Sequence, residues 1–336
     1  MIGRKHILQL AILAAVCVAA FLVYRSLGRY TFDEVAEAAE AIPFVRLSAA
    51  MAFVAASYLC LTGFDTLAVR YVKKTLAWRQ TALASFCALS IGHNVGMAAL
   101  SSGAVRYRFY SRWGLTGGEI AKVIGFCGIT VGLGLSTLAA IVLLLDLGPD
   151  TDLFGIGQDT RVAAGLVCLL LPAAYLVLCA LRVPVRLRKW RLNPPPLALA
   201  LLQIGIGTLN FACVAAAIHQ LMAVFGSITY FEVAGAYVTA NVAALVSHVP
   251  GGLGVLEATM LGILPGTKII GALVAFRVLY FFVPLMIGLP TFLASEAYYR
   301  RRPTIFKTFD GVKSATGDDG SLPGFAEPAR KAASDR

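Results

Sequence analysis

No charged side chain interrupts the chain between Lys122 and Asp146, and apolar runs of this kind recur along most of its length. A bilayer's hydrocarbon core is about 30 Å thick and takes roughly 20 residues of helix to cross. Six runs have that length: about 7–24, 44–69, 119–145, 161–181, 197–222 and 267–293. Two more, about 81–102 and 231–265, are equally apolar but broken by glycine, proline and polar residues. The composition agrees, with 58% hydrophobic and only 14% charged residues, against about 45–50% and about 25% in soluble domains. The chain therefore reads as an all-α polytopic membrane protein. The run at 7–24 lacks a small-x-small cleavage site, and further spans follow it, so it reads as a retained first helix.

Charge sets the direction of each span. Arg4 and Lys5 precede the first run, Arg70, Lys73, Lys74 and Arg79 follow the second, and Arg106, Arg108 and Arg112 precede the third. Arg182, Arg186, Arg188, Lys189 and Arg191 follow the fourth, and Arg300, Arg301 and Arg302 follow the last. Basic clusters stay in the cytoplasm, which puts Asp146, Asp150, Asp152 and Asp159 outside and both termini inside. Segments 70–80 and 103–118 then share the cytoplasmic side, so 81–102 must enter the membrane and return. By the same count 231–265 dips in from the opposite face. Halves 1–145 and 161–295 thus have inverted topology, each with one re-entrant helical hairpin. In transporters that pattern points to a midplane binding site at the repeat interface. After Arg302 the composition turns to Pro, Gly, Ser and charged residues, so the expected division is a membrane domain over 1–302 and a disordered cytoplasmic tail over 303–336.

The second hairpin carries "SHVPGGLGVLE", Ser247 to Glu257. Broken backbone at that depth must face protein or a watery cavity. One half-helix is expected to end near Val249 and another to start near Gly254, with free N–H groups of Gly251, Gly252 and Gly254 available to an anion such as a lipid phosphate. Glu257 falls in the first turn of the new helix, either as a cap or as part of a site. Arg277 lies inside the last span, where a guanidinium costs at least about 2.5–3.5 kcal/mol and faces a cavity or a partner. It can pair with Glu257 or Asp65, or contact a phosphate in bidentate fashion. Asp65, near the cytoplasmic end of the second span, can be linked to Arg70, solvated at the interface, or functional. At the first break stand His93 and Asn94, followed by Arg106, the basic residue nearest the break and a candidate substrate contact. Arg108 and Arg112, with Tyr107, Tyr110 and Trp113, read as a basic and aromatic interfacial belt. His93 and His248 can relay protons or sit neutral and hydrogen-bonded. Glu119 reads as a helix N-terminal acid.

The seven cysteines lie in apolar segments with no CxxC pair, and read as small hydrophobes. No nucleotide motif and no metal motif is present, so no cofactor and no ATP hydrolysis are expected. The net charge of +11 is the positive-inside pattern, with an anionic lipid surface rather than nucleic acid as its partner.

Together "IGHNVGMAALSSGAVRYRFYS", "VSHVPGGLGVLEATML" and "AFRVLYFFVPL" resemble the transmembrane-region family of lysylphosphatidylglycerol synthase, the flippase domain of the bacterial multiple peptide resistance factor. The resemblance spans roughly residues 5–300. It implies translocation of anionic or aminoacylated phospholipids across the bacterial cytoplasmic membrane, with Asp65, Arg106, Glu257 and Arg277 lining the headgroup path. The soluble aminoacyl-transfer domain of the synthase is missing, so the chain is expected not to be an enzyme. A separate lipid-modifying enzyme and a second copy of the chain are the further partners to consider. The rival expectations are an intramembrane lipid or prenyl-phosphate transferase using His93, His248 and Glu257, and a scaffold that recruits a synthase or glycosyltransferase.

Overall fold

A computed structural model describes residues 40–95, 98–145, 157–187, 190–247, 252, 254–264 and 269–301. The first apolar run, the acidic loop, His248, Gly251 and the segment 303–336 lie outside the described residues.

The described chain is helical apart from one small hairpin. Two helices, α1 (Phe44–Tyr71) and α4 (Gly117–Leu145), flank the hairpin formed by α2 (Trp78–Val95) and α3 (Ala98–Arg112). Next come α5 (Gln158–Ala180) and α6 (Leu197–Met222), then the second broken segment, α7 (Tyr230–Ser247) and α8 (Val255–Ile263). The last span consists of α9 (Ile269–Arg277), a π-helical turn (Val278–Phe282) and α10 (Val283–Arg301). Five helices are long and apolar enough to cross a membrane: Phe44–Tyr71, Gly117–Leu145, Gln158–Ala180, Leu197–Met222 and Ile270–Tyr299. Each coincides with an expected run. The basic stretch after α5 forms a short antiparallel pair, β1 (Val185–Leu187) and β2 (Trp190–Leu192), with Arg186 opposite Arg191. The chain divides into two units, Met1–Leu293 and Ala294–Arg336; everything below concerns the first.

Local chemistry marks the helix ends. Pro43 and Pro196 sit at the N-caps of α1 and α6, where a missing N–H costs nothing because the first N–H groups have no helical partner. At α4 the Thr116 hydroxyl accepts from the Glu119 N–H while the Glu119 carboxylate accepts from the Thr116 N–H and hydroxyl. Thr229 and Glu232 repeat this capping box at α7. The acid expected at the start of the third full span is therefore a cap.

α1 and α6 form the centre, and small residues let the neighbouring backbones close on them, as is usual where lipid offers no competing apolar drive. A Cβ on Gly134 of α4 would lie 2.3 Å from the Gly207 carbonyl carbon of α6. A Cβ on Gly288 of α10 would lie 1.9 Å from Ser90 Oγ of α2. Polar side chains finish the joints. Gln203, fully buried, donates to the Phe126 carbonyl and Thr130 and accepts from the Tyr175 hydroxyl. Ser57 donates to Asn210 at 2.7 Å, tying α1 to α6.

Candidate functional site

Both broken hairpins carry a buried arginine–carboxylate pair. In the first, Arg106 and Tyr110 are four residues apart on α3, hence on one face, and both point at Asp65 of α1. Arg106 donates from Nε at 2.8 Å and Nη2 at 2.7 Å, one to each carboxylate oxygen, and the Tyr110 hydroxyl adds a third bond at 2.7 Å. Asp65 is 0% and Arg106 4% exposed. Fork-to-fork geometry of this kind is among the strongest charged hydrogen bonds. Of the alternatives open for Asp65, the link to Arg70 and solvation at the interface drop out: packing of α3 against α1 removes the carboxylate from solvent and gives it to Arg106. Tyr110 is corrected. It is not part of an interfacial belt but fully buried, whereas Tyr107 is exposed.

The second pair is built on a backbone break. α7 ends at Ser247 and α8 begins at Val255, close to the expected positions. Gly252 and Gly254 take φ of +60° and +81°, the left-handed region that glycine occupies without strain. Glu257 then does two things at once. Its Oε2 accepts the Gly254 N–H at 2.9 Å, and its Oε1 accepts from Arg277 Nε. Arg277 also donates from Nη2 to the Gly252 carbonyl at 3.2 Å and lies 5.3 Å above the Phe281 ring. Glu257 therefore caps α8 and pairs with Arg277 at once. Asp65 takes Arg106, leaving Glu257 to Arg277.

His93 and Asn94 end α2 and meet the π-helical turn. Asn94 donates to the Ser90 carbonyl at 2.8 Å and to the Phe281 carbonyl at 3.1 Å. The His93 ring stacks on Tyr280, with centroids 5.9 Å apart and planes at 18°, and its Nδ1 is buried with no hydrogen-bond partner among the described residues. The Tyr280 hydroxyl lies 3.3 Å from Ser57 Oγ, and the Tyr280 carbonyl accepts from the Tyr58 hydroxyl at 3.2 Å. The turn Val278–Phe282 is thus where Arg277 of the second pair, His93 and Asn94 of the first hairpin, and Ser57 and Tyr58 of α1 converge. Tyr58, Tyr280, Ser57 and Asn210 were not singled out by sequence, and Tyr110 was singled out only for the interface. Asn210, a polar residue well inside an apolar span, carried a readable signal, and so did the four-residue spacing of Tyr110 from Arg106.

Among the described residues no group of three or more His, Cys, Asp or Glu could hold a metal ion, and six cysteines are free thiols. What the arrangement offers is two buried guanidinium groups among apolar helices, each held by a carboxylate, one of them beside broken backbone.

Spanning helices around buried arginine–carboxylate pairs define an all-α polytopic membrane protein. No protein-family model matches the chain. It is 33% identical over 265 residues to the inner membrane protein YbhN of Escherichia coli, covering 76% of this chain and 82% of that protein. It is 31% identical over 264 residues to the uncharacterized protein slr0712 of Synechocystis sp., covering 77% and 82%. The chain belongs to the family of these two proteins.

Proposed function

We propose that this protein moves phospholipid, of the phosphatidylglycerol or aminoacylated kind, between the leaflets of a bacterial cytoplasmic membrane. The observation that carries the reading is Glu257. Its carboxylate occupies the N-terminus of α8 and the Nε of Arg277 together, a donor set that a phosphate group also fits. Charged groups at membrane depth are expensive and mark substrate paths, and here Glu257 and Arg277 sit where a hairpin is broken, while Asp65 and Arg106 join the other hairpin to α1. In this reading the carboxylates of Asp65 and Glu257 hold the guanidiniums of Arg106 and Arg277 in the absence of cargo. A headgroup phosphate competes for the guanidiniums, and an amino group on the headgroup meets the released carboxylate. The name of YbhN as an inner membrane protein supports the location, and the basic clusters support cytoplasmic termini. The likeness of the two hairpin motifs to the synthase's transmembrane region supports the cargo class. The chain acts as a transporter without a cofactor and not as an enzyme.

The test is reconstitution. Purified protein in proteoliposomes receives headgroup-labelled phosphatidylglycerol or its lysyl ester, beside the variant Glu257→Gln/Arg277→Ala. Movement by the wild type and none by the variant is the expected result. Absence of movement for every lipid, with or without an ion gradient, overturns the reading in favour of a scaffold or a lipid-modifying enzyme.

A further inference from the structure

The span Ile270–Tyr299 is apolar enough to cross a membrane, yet it is not one regular helix. Its α-helical part ends at Arg277, and in the π-helical turn the Val283 N–H reaches back five residues to the Val278 carbonyl. Pro284 accounts for the change of register. In an α-helix the N–H of residue 284 would serve the carbonyl of Tyr280; proline has no N–H, and its ring clashes with that carbonyl. Two side chains from outside the span take over. The Tyr58 hydroxyl of α1 donates to the Tyr280 carbonyl at 3.2 Å, and Asn94 Nδ2 of α2 donates to the Phe281 carbonyl at 3.1 Å. A π-turn inserts one residue relative to the α-helix, which turns the helix on one side of it by about 100° relative to the other. Arg277 is the residue immediately before the turn, so its direction relative to α10 depends on that extra residue.

We infer that Tyr58, Asn94 and Pro284 are positioning residues that hold the π-turn and thereby aim Arg277 at Glu257. Pro284 denies the Tyr280 carbonyl its α-helical donor, and Tyr58 and Asn94 donate to two successive carbonyls of the widened turn. The consequence is a mechanical link between the hairpins. Asn94 closes the first leg of one, while Glu257 opens the second leg of the other. Movement of the α2 end pulls on the Phe281 carbonyl and reorients Arg277, whose guanidinium lies over the Phe281 ring. Only the effect on lipid movement rests on the function proposed above; the link itself rests on geometry.

Two full-length variants test it. Tyr58→Phe leaves the Tyr280 carbonyl without its hydroxyl donor. Tyr58→Phe/Pro284→Ala adds a backbone N–H in its place, which closes an α-turn and removes the extra residue from the register. Three measurements are compared: the thermal midpoint in detergent, hydrogen exchange of amides 254–258, and translocation of labelled phosphatidylglycerol in proteoliposomes. The single variant is expected to lower the midpoint and the double variant to restore it. In the double variant the α8 amides nevertheless exchange at least about tenfold faster, equivalent to about 1.4 kcal/mol of lost protection, and translocation is lost. Recovery of slow exchange together with stability would show a purely structural turn and overturn the inference. Should the double variant not accumulate, Asn94→Leu is read by the same exchange measurement, and unchanged α8 exchange overturns the inference. If the wild type moves no lipid, the exchange result still decides this link, and only the transport reading falls.

Discussion

Replacing Asp65 by asparagine keeps the side chain's shape and removes its charge, which isolates what the carboxylate does. Asp65 accepts three hydrogen bonds, at 2.8, 2.7 and 2.7 Å. An asparagine offers one carbonyl oxygen there and turns an NH₂ group toward the donors that remain. Arg106, 4% exposed, then keeps a full positive charge with its counter-charge removed. Breaking one side of a buried pair costs about 3–5 kcal/mol, roughly two to four powers of ten in the folding equilibrium. Lys74–Glu119 provides the contrast: its nitrogen and oxygen are 3.3 Å apart, but the side chains are 37% and 25% exposed, so Lys74→Ala should cost no more than about 1 kcal/mol. The assay is denaturant unfolding of the full chain in detergent, followed by tryptophan fluorescence; Trp113 lies 6.0 Å from Tyr110 and reports on the pair directly. Asp65→Asn and Arg106→Gln are measured singly and together. The double variant should lose less than the sum of the singles by about 1.5–3 kcal/mol, because both charges disappear at once. Strict additivity, or an Asp65→Asn loss below about 1 kcal/mol, would refute the reasoning and show that water or lipid headgroups compensate Arg106.

Further expectations concern the frame of the site. Gly134→Ala should reduce the yield of monodisperse protein and lower its thermal midpoint by an overpacking cost of about 1–3 kcal/mol, since the Gly207 backbone at 2.3 Å cannot yield. Gly205→Ala, with nothing within 4 Å of its Cβ, serves as the control, and equal behaviour of the two would refute the tight crossing. Gly254→Ala forces a side chain into a backbone at φ +81° and should cost about 1–2 kcal/mol, with faster hydrogen exchange at the start of α8 as its local signature. Gln203→Leu removes its bonds to Phe126, Thr130 and Tyr175. At about 0.6 kcal/mol for an average interhelical bond in a membrane, the unfolding free energy should fall by about 1–2 kcal/mol, and a stabilising effect would refute that accounting.

How much of the site was legible follows from which interactions are local in sequence. The break around Gly252 and Gly254 was readable, because proline and glycine act on their own backbone. Glu257 as a cap was readable for the same reason. Its second role was open, since Arg277 stands 20 residues away and an arginine inside a span has more than one way to be neutralised. The partner of Asp65 was left open because Arg106 lies 41 residues away, and the nearer Arg70 offered a local alternative. Tyr110 was assigned to the interface by its neighbours Arg108 and Arg112, but helical rotation turns it inward with Arg106. The π-helical turn had one visible cause, Pro284, and two invisible ones, the hydroxyl of Tyr58 and the amide of Asn94.

The sequence by itself determined five of the apolar spans, where two further segments break, and how the charges flank them. Hydropathy and backbone propensity are sums over neighbouring residues, so a window of the chain contains them. Which carboxylate neutralises which arginine, and in what direction Arg277 points, only the tertiary structure decided. Those outcomes depend on whether α3 reaches α1 and whether Tyr58 and Asn94 reach a turn more than 180 residues further on. The cost of a buried charge says that partners must exist, and only the packing of the helices selects them.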